Sequence, residues 1–516
     1  MHFIIVRQSG TFFQLRTAAP GQVSDRRQQA YCIYIDPPPT GKTLALLKSF
    51  DLEIISGSRL RSVWKLAWPL VCLNLVNGTH GIVDHILVGH FIVSDNNAAN
   101  AAIGVAWQVF LVLVVFITSV FHGMNVLISR NAGRQDRERL SRVFYTAFMA
   151  SFVALTFIFG PVGYLLAPGL LRLMNVPPEV ALHCLPYLRV LFVCGTPLFL
   201  MFLLTGAFHA SGDPKLPLKL GVLTTVLNIV ISTVLITGLG IFTPLGIRGA
   251  AFGTVLAPMV SGLLGIRLIY KRRTIIQPPE RHRLMPDMRL LITMMRIGIP
   301  SGLQGVLLNI GGVMLLWYIS LLEYSAAAQA AYIICYTQLF SLVSWISFGL
   351  RGASGTMIGQ NIGAGNPKRG KEGVLIAGAL AGFWAALVGI LYISIPGTLL
   401  SLFNVTDGLV YDYAVTLLRY LSVSGIVLGI AQALTGGLQG AGATRPPMLI
   451  AFVTQIVTLL GFCQIFLSLN RLTPEVIWSA ILLSHILRLL LSFLVFRRKG
   501  WEHTIAHLDT GSKPLV

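Results

Sequence analysis

Long uncharged stretches dominate this chain and restrict the environment in which it can fold. From residue 64 onward, apolar segments recur that are each about 20 residues long, enough to cross the hydrocarbon layer of a bilayer as a helix. Only 11% of the 516 residues are charged and 54% are hydrophobic, whereas soluble domains carry roughly 25% charged residues. With a mean hydropathy of +0.74, the sequence predicts an all-α polytopic membrane protein.

The apolar segments predict about twelve transmembrane helices in two sets of six. The first set is predicted at 64–92, 98–128, 140–170, 185–210, 215–238 and 247–271. The second set is predicted at 297–320, 326–352, 373–400, 413–440, 446–468 and 476–496.

Positive charge follows the even-numbered helices and predicts the orientation of the chain. The net charge is +20. The cluster after the second helix includes Arg130 and Arg134, and the cluster after the sixth includes Lys271 and Arg272. Excess Lys and Arg mark cytoplasmic loops, so both termini are expected in the cytoplasm and the protein in the cell inner membrane. Since these clusters lie between apolar segments, the expected partners are the lipid bilayer and small-molecule substrates, not nucleic acid. The protein is expected to be a monomer.

The same pattern divides the chain into five parts. Residues 1–60 lack a spanning segment and are predicted to be a disordered cytoplasmic tail. Residues 61–272 and 297–498 are the predicted six-helix lobes. A polar, basic linker at 273–296 joins them, and residues 499–516 form a second cytoplasmic tail.

The two halves are repeats of one another. The offset of 230 positions that separates Gln108 from Gln338 also brings Asn131 onto Asn361. Over residues 188–195 the same offset gives identity at five of eight positions. Six helices per repeat bring the second half into the bilayer in the same orientation, so an axis along the membrane normal should relate two pseudo-symmetric six-helix bundles. That geometry is typical of alternating-access transporters.

One acidic residue, Asp84, lies well inside a predicted span. A charge at bilayer depth costs about 2.5–3.5 kcal/mol on insertion scales, and a low-dielectric surrounding favours the neutral carboxyl group. Asp84 is therefore a candidate for taking up and releasing protons. Asn77 and His80 share its helix face by their spacing and could tune it, although packing is the simpler role for His80.

Other kinds of site find little support. The six cysteines have no CxxC spacing, so neither a disulfide framework nor a metal site is predicted. No HExxH motif and no convergent catalytic set is apparent, and an enzyme is not expected. Gln108 and Gln338 could line a central cavity, since the repeat pairs them, but helix packing explains them equally well.

Several short motifs together resemble the MATE (multidrug and toxic compound extrusion) family over about residues 61–500. They are Pro69 with Val83, Asp84 and Gly89; residues 133–136; residues 210–217; Asn228; residues 246–251; residues 298–301; residues 359–366; and residues 439–446.

The resemblance implies that Asp84 is the proton or sodium site of the first lobe. It also implies that Asn228 and Thr254 accompany Asp84, although simple interhelical hydrogen bonding would explain both. Ser232 occupies the position where some members carry a second aspartate, and this favours a single-proton carrier over a sodium cage.

The expected function is thus secondary active efflux of small amphipathic or cationic compounds in exchange for protons, or less readily sodium, without another cofactor. Two alternatives remain. The first is a lipid-linked oligosaccharide or lipid flippase of the same superfamily, which several arginines deep inside would favour. The second is a membrane-embedded enzyme.

Overall fold

A computed structural model describes the backbone of most of the chain. The described ranges are 4–8, 11–15, 48–91, 96–174, 176–239, 243–278, 285–406, 408–498 and 500–501. Within them, side chains are described except at 4–15, 79–91, 96–101 and 109–114. Residues 1–46 and 47–516 are separate compact units. In the first, β1 (Ile4–Gln8) pairs antiparallel with β2 (Thr11–Leu15), a hairpin that the sequence analysis does not predict.

Twelve long helices occupy the described part of the second unit, counting one bent pair as a single helix. The first six are α1 (Arg59–Phe91), α2 (Asn96–Gly133), α3 (Arg137–Leu173), α4 (Pro178–Cys194 with Thr196–Ala210), α5 (Lys215–Thr237) and α6 (Ile247–Tyr270). The other six are α7 (Met288–Ser320), α8 (Ser325–Gly363), α9 (Pro367–Ser394), α10 (Gly408–Gly440), α11 (Arg445–Ser468) and α12 (Pro474–Arg497).

Ten of these helices, counting the bent pair as one, are long and apolar enough in their described residues to span a membrane. Nine of the described helices meet that criterion alone, and the two parts of α4, bent by 54°, meet it together. The bend lies at Gly195 and is followed by Pro197, which cannot donate a backbone hydrogen bond. α1 and α2 have 33 and 38 residues. The predicted fold class, two pseudo-symmetric bundles of six transmembrane helices, is confirmed.

The two bundles share an apolar core at one end of the molecule. Val63 and Leu66 of α1 lie in one cluster of buried side chains with Leu350 and Met357 of α8 and with Ala377 of α9. Burial of such side chains stabilises the contact between α1 and the second bundle. α1 is therefore a helix of the first bundle that packs closely against both.

Among the helices that extend beyond their predicted ends, α7 and α8 do so by the most residues. α7 begins at Met288 rather than at 297, because Asp287 caps it by accepting the backbone N–H groups of Arg289 and Leu290 at 3.1 and 3.2 Å. The last part of the predicted linker 273–296 is therefore helical. α8 continues to Gly363 rather than ending at 352, so residues near 352 lie inside the helix.

Residues 48–57, here called the pre-α1 segment, correct the prediction of a disordered tail. The segment contains a short helix, Glu53–Ser56, and the side chain of Ile54 is fully buried. Apolar burial and ion pairing order this part of the predicted tail, where Lys65 pairs with Asp51 at 2.5 Å and with Glu53 at 2.8 Å.

The pre-α1 segment also bridges the two bundles. On the first bundle, Lys48 forms an ion pair with Asp213, and Arg137 donates to the Lys48 carbonyl at 2.7 Å. On the second, the side chain of Asn361 donates to the Ile54 carbonyl at 3.2 Å, and Arg369 donates to it at 3.4 Å. The segment therefore lies across both bundles at the end where the basic clusters gather, here called the basic end.

Candidate functional site

A cavity of about 400 Å³ lies between the two bundles. Helices α1, α2 and α4 supply one wall and α8 and α10 supply the other. Its volume falls within the roughly 300–1,000 Å³ typical of small-molecule sites. The cavity thus lies where the repeat geometry places a central substrate site.

Equivalent positions of the two repeats face each other across this cavity. The offset of 230 positions relates Phe121 to Arg351, and it relates His209 to Gln439. All four side chains line the cavity. The repeat therefore conserves the position of the wall residues while their chemistry differs between the bundles.

Arg351 is the charged group of the α8 wall, and neutral oxygens hold it in place. Gln439 Oε1 accepts hydrogen bonds from Arg351 Nε at 3.2 Å and from Nη2 at 2.8 Å. Gln432 Oε1 accepts a longer one from Nη1 at 3.4 Å. Gln439 is itself fixed, since its Nε2 donates to Gln304 Oε1 at 2.8 Å and to Ser301 Oγ at 3.3 Å. This network orients the guanidinium group without neutralising its charge.

The opposite wall is aromatic. The rings of Phe121 on α2 and Phe202 on α4 stack with centroids 4.1 Å apart and an interplanar angle of 23°. His122 follows Phe121 in the lining, and the two rings meet edge to face at 5.5 Å. Stacked aromatic faces are well suited to planar apolar groups.

Close backbone contacts close the cavity toward the basic end. A Cβ atom added to Gly133 would lie 1.9 Å from the carbonyl oxygen of Gln360, and one added to Gly363 would lie 2.0 Å from that of Arg130. The offset of 230 positions exchanges these two contacts, so α2 and α8 cross reciprocally. Glycine is required at both positions because any side chain would force the helices apart.

Two hydrogen bonds between the bundles reinforce this closure. Thr356 Oγ1 and His209 Nδ1 lie 3.0 Å apart, and Gln360 Nε2 donates to the Ala210 carbonyl at 2.9 Å. All of these groups are buried. Opening the cavity to the basic end requires that both bonds break.

The residues predicted to accompany Asp84 form a second location, inside the first bundle. Asn228 and Ser232 on α5 and Thr254 on α6 are buried, at 0%, 0% and 2% exposure. Thr254 Oγ1 donates to the Ala250 carbonyl at 3.0 Å, and Ser232 Oγ is buried without a hydrogen-bond partner among the described atoms. A Cβ added to Gly253 would lie 2.0 Å from Ser232 Oγ, so the helices touch here.

Asp84 lies in α1, and its side chain and that of His80 lie outside the described residues. α1 packs along α5 and also touches α6, the helices that carry the buried polar group. Asn77, about two helical turns before Asp84 on α1, is exposed and lines the central cavity. One helix therefore connects the predicted ion site with the cavity.

Gln108 and Gln338 are both exposed, and neither is among the described residues that line the cavity. The repeat offset shows that the two positions are equivalent, but it does not show whether they line the cavity. Gln338 precedes Arg351 by 13 positions on α8, or about 20 Å of helix.

Sequence reasoning missed Arg351 and Gln439. Arg351 lay at the predicted end of its helix, where a charged residue is common. Gln439 lay in a glycine-rich stretch at the predicted end of the helix 413–440. The repeat offset applied to every polar residue would have paired Gln439 with His209.

Comparison with known proteins agrees with this geometry. The MatE family model matches residues 69–234 and 300–463, more than half of the chain. "Probable multidrug resistance protein YoeA" of Bacillus subtilis is 28% identical over 401 residues, which cover 76% of this chain and 84% of that protein. "Probable multidrug resistance protein NorM" of Thermotoga maritima is 26% identical over 444 residues, which cover 85% and 92%.

A solved structure described as the outward-facing conformation of a multidrug resistance MATE family transporter has the same fold. Its TM-score is 0.78 at 20% identity, and the match covers 87% of this chain and 98% of that one. The repeated family match, the relatives along most of the chain and the shared twelve-helix fold lead to one conclusion: this chain belongs to the MATE family of multidrug efflux transporters.

Proposed function

We propose that this protein is a proton-coupled antiporter that exports small amphipathic compounds from the cytoplasm. The observation that carries the proposal is the position of α1. This helix lines the central cavity through Leu70, Asn74 and Asn77, and farther along it carries Asp84 while packing against α5. A change of charge at Asp84 would therefore act on a helix that cargo touches.

The proposed cycle begins with the basic end closed. Asp84 takes up a proton from outside, and neutralisation changes how α1 packs against α5 near Asn228. Cargo leaves, the bundles rock, and the proton is released to the cytoplasm before new cargo binds. One elementary charge moving through 100 mV supplies about 2.3 kcal/mol, which supports roughly a fiftyfold gradient of cargo.

Protons are favoured over sodium as the coupling ion because of the groups beside α1. Asn228, Ser232 and Thr254 are all neutral, whereas a dehydrated cation needs several hard oxygen ligands, preferably charged. One carboxyl group is sufficient for a proton. Sodium is therefore expected to be dispensable.

Asp84→Asn in proteoliposomes tests this proposal. With an imposed pH gradient, uptake of a fluorescent amphipathic dye is expected to fall about tenfold or more, because the amide cannot exchange a proton. Replacement of sodium by choline should leave the wild-type rate unchanged. Asp412→Asn is the matched control, since this carboxylate is exposed near one end of α10. Undiminished gradient-driven transport by Asp84→Asn refutes the role of Asp84.

The lipid flippase is retained as a second candidate because of Arg351, since a cationic cavity is the feature that favours it. A fluorescent phospholipid in the same proteoliposomes distinguishes the two. A flippase would move the lipid between leaflets, whereas the proposed antiporter moves the dye alone.

A further inference from the structure

The charge of the cavity wall bears on which compounds the transporter carries. Arg351 is the charged side chain of the lining, and among the described lining residues there is no Asp or Glu. The described ion pairs of the molecule do not include Arg351. Among the described residues, the hydrogen-bond acceptors found for it are the two glutamine oxygens. Its positive charge therefore has no carboxylate partner in the described structure.

Asp84 belongs to a part of α1 that is distant from Arg351 along the helix. Gly352 packs against Leu70, which places Arg351 at the level of residue 70 on α1. Residue 84 lies 14 positions farther along the same helix, which corresponds to about 21 Å at 1.5 Å per residue. The backbone of residue 84 therefore lies several helical turns away from the level of Arg351.

The second bundle contains a further buried cation. Arg488 on α12 is 5% exposed, and its Nε and Nη2 atoms make no hydrogen bond among the described residues. Arg351 and Arg488 both belong to helices of the second bundle, so the interior of that bundle carries two positive charges. A cation that enters the cavity would meet this field, whereas an anion would offset it.

The guanidinium group also keeps donors free for a ligand. Its three hydrogen bonds use Nε and one N–H of each Nη atom, so each Nη retains a second N–H. Two such donors on a planar group match the two oxygens of a carboxylate or sulfonate. Gln439 holds the guanidinium group in this orientation by accepting the hydrogen bonds from Nε and Nη2.

We infer that the cavity binds small aromatic anions, with the acidic group paired to Arg351 and the ring against Phe121 and Phe202. The inference rests on the proposed function and names its cargo. The two recognition elements belong to different bundles, which suits a ligand with an apolar plane at one end and a negative charge at the other. A cationic dye fits the aromatic wall but is repelled by Arg351 on the opposite wall.

Two dyes with the same xanthene core test the inference: a sulforhodamine, which is a net anion, and a rhodamine ester, which is a cation. Binding to the purified protein is followed by fluorescence anisotropy, and transport by proteoliposomes under a pH gradient. The wild-type protein should bind the sulforhodamine more tightly. Arg351→Gln should weaken that binding about tenfold or more, since a charge-assisted hydrogen-bonded pair is lost, and should not weaken binding of the ester.

Arg351→Lys should retain part of the preference, because it keeps the charge but not the planar fork. It also covers the case in which Arg351→Gln fails to fold. Arg419→Gln is the matched control, an exposed arginine of α10 that does not line the cavity, and its preference should equal that of the wild type.

The outcomes separate the inference from the proposed function. Tighter binding of the ester by the wild type, or unchanged sulforhodamine binding by Arg351→Gln and Arg351→Lys, overturns the inference and leaves proton-coupled export standing. Arg351-dependent binding without gradient-driven movement of either dye supports the inference and overturns the proposed function. Arg351-dependent movement of an anionic fluorescent phospholipid, with no binding of the sulforhodamine, overturns the inference in favour of a lipid substrate.

Discussion

Ser232 and Gly253 show how little space separates α5 from α6 beside the predicted ion site. A Cβ at Gly253 would lie 2.0 Å from Ser232 Oγ and 3.0 Å from both the Ser232 Cβ and backbone nitrogen. Backbone atoms cannot move as a side-chain tip can. The absence of a side chain at Gly253 thus sets the distance between the helices that carry Asn228 and Thr254.

Gly253→Ala is therefore expected to lower the free energy of unfolding by about 1–3 kcal/mol, the usual cost of overpacking. Gly262→Ala on the same helix is the control, because its nearest neighbour is the Met201 sulfur at 4.0 Å. Thermal unfolding in detergent measures both. Equal stability of the two variants would show that the helices separate easily at this point.

The charged residue of the cavity illustrates a limit of sequence reasoning. Asp84 stood out because the predicted helix extended on both sides of it, but Arg351 appeared at a boundary because its helix was predicted to end at 352. Residues 352–363 contain several glycines and polar groups and look like a loop in isolation. They are helical because α2 packs against them, and such a tertiary contact is not visible in local composition.

At the scale of elements, the pre-α1 segment has the position of a clasp across the basic end. Ile54 is fully buried, and its backbone carbonyl accepts hydrogen bonds from two helices of the second bundle. The Cδ1 atom of Ile54 also lies 3.2 Å from the Cβ position of Gly212 in the first bundle. These contacts require the bundles to be close together at this end.

Ile54→Asp is expected to favour the state that is open at the basic end. A buried unpaired carboxylate costs at least about 2 kcal/mol, which shifts a two-state equilibrium by roughly tenfold or more. The measurement is labelling of Ser129→Cys, a buried residue of the cavity lining. An impermeant maleimide is applied to inside-out vesicles, in a background without the native cysteines, and faster labelling is expected.

Leu52→Asp is the control, since Leu52 is 50% exposed on the same segment and its substitution should not change the labelling rate. Equal acceleration by both variants would contradict the clasp.

Lowering the pH should also weaken the clasp, because the hydrogen bond from Lys65 holds the pKa of Glu53 below its ordinary 4.5. The contribution of that pair is complete above pH 4.5 and is lost as the pH falls through the lowered pKa.

The twelve helices themselves were predictable, and most of their ends lie within a few residues of the predicted ones. Hydropathy locates them because the bilayer requires each span to satisfy its own backbone hydrogen bonds. The pre-α1 segment was not predictable in this way. It is held by partners that are distant in sequence, such as Asp213 and Asn361, and nothing in residues 48–57 identifies them.

At the scale of the whole molecule, the offset of 230 positions exchanges the two bundles. It exchanges the two glycine contacts where α2 crosses α8, and it exchanges the two walls of the cavity. An axis through both features, along the length of the helices, follows from this exchange. We therefore expect the described residues before α1 and after α12 to lie on the same side of the membrane, and the basic clusters predict that this side is the cytoplasm.

A C-terminal fusion tests this orientation. Green fluorescent protein attached after residue 516 should fluoresce, because it folds in the cytoplasm, whereas alkaline phosphatase attached there should be inactive. The control places each reporter in the turn between α7 and α8, where the opposite pair of results is expected. Active phosphatase at the C-terminus would reverse the predicted orientation and, with it, the assignment of the closed end.

The reciprocal glycine contact has a mechanical consequence. Bundles that interlock through large side chains must withdraw each knob from its hole before they can part, and that adds friction to every cycle. In this protein the backbone of α2 contacts the backbone of α8 directly. The contact lies on the pseudo-symmetry axis that relates the two bundles. Once the hydrogen bonds of Thr356 and Gln360 break, α2 and α8 can therefore separate at this contact by tilting, without the withdrawal of a side chain.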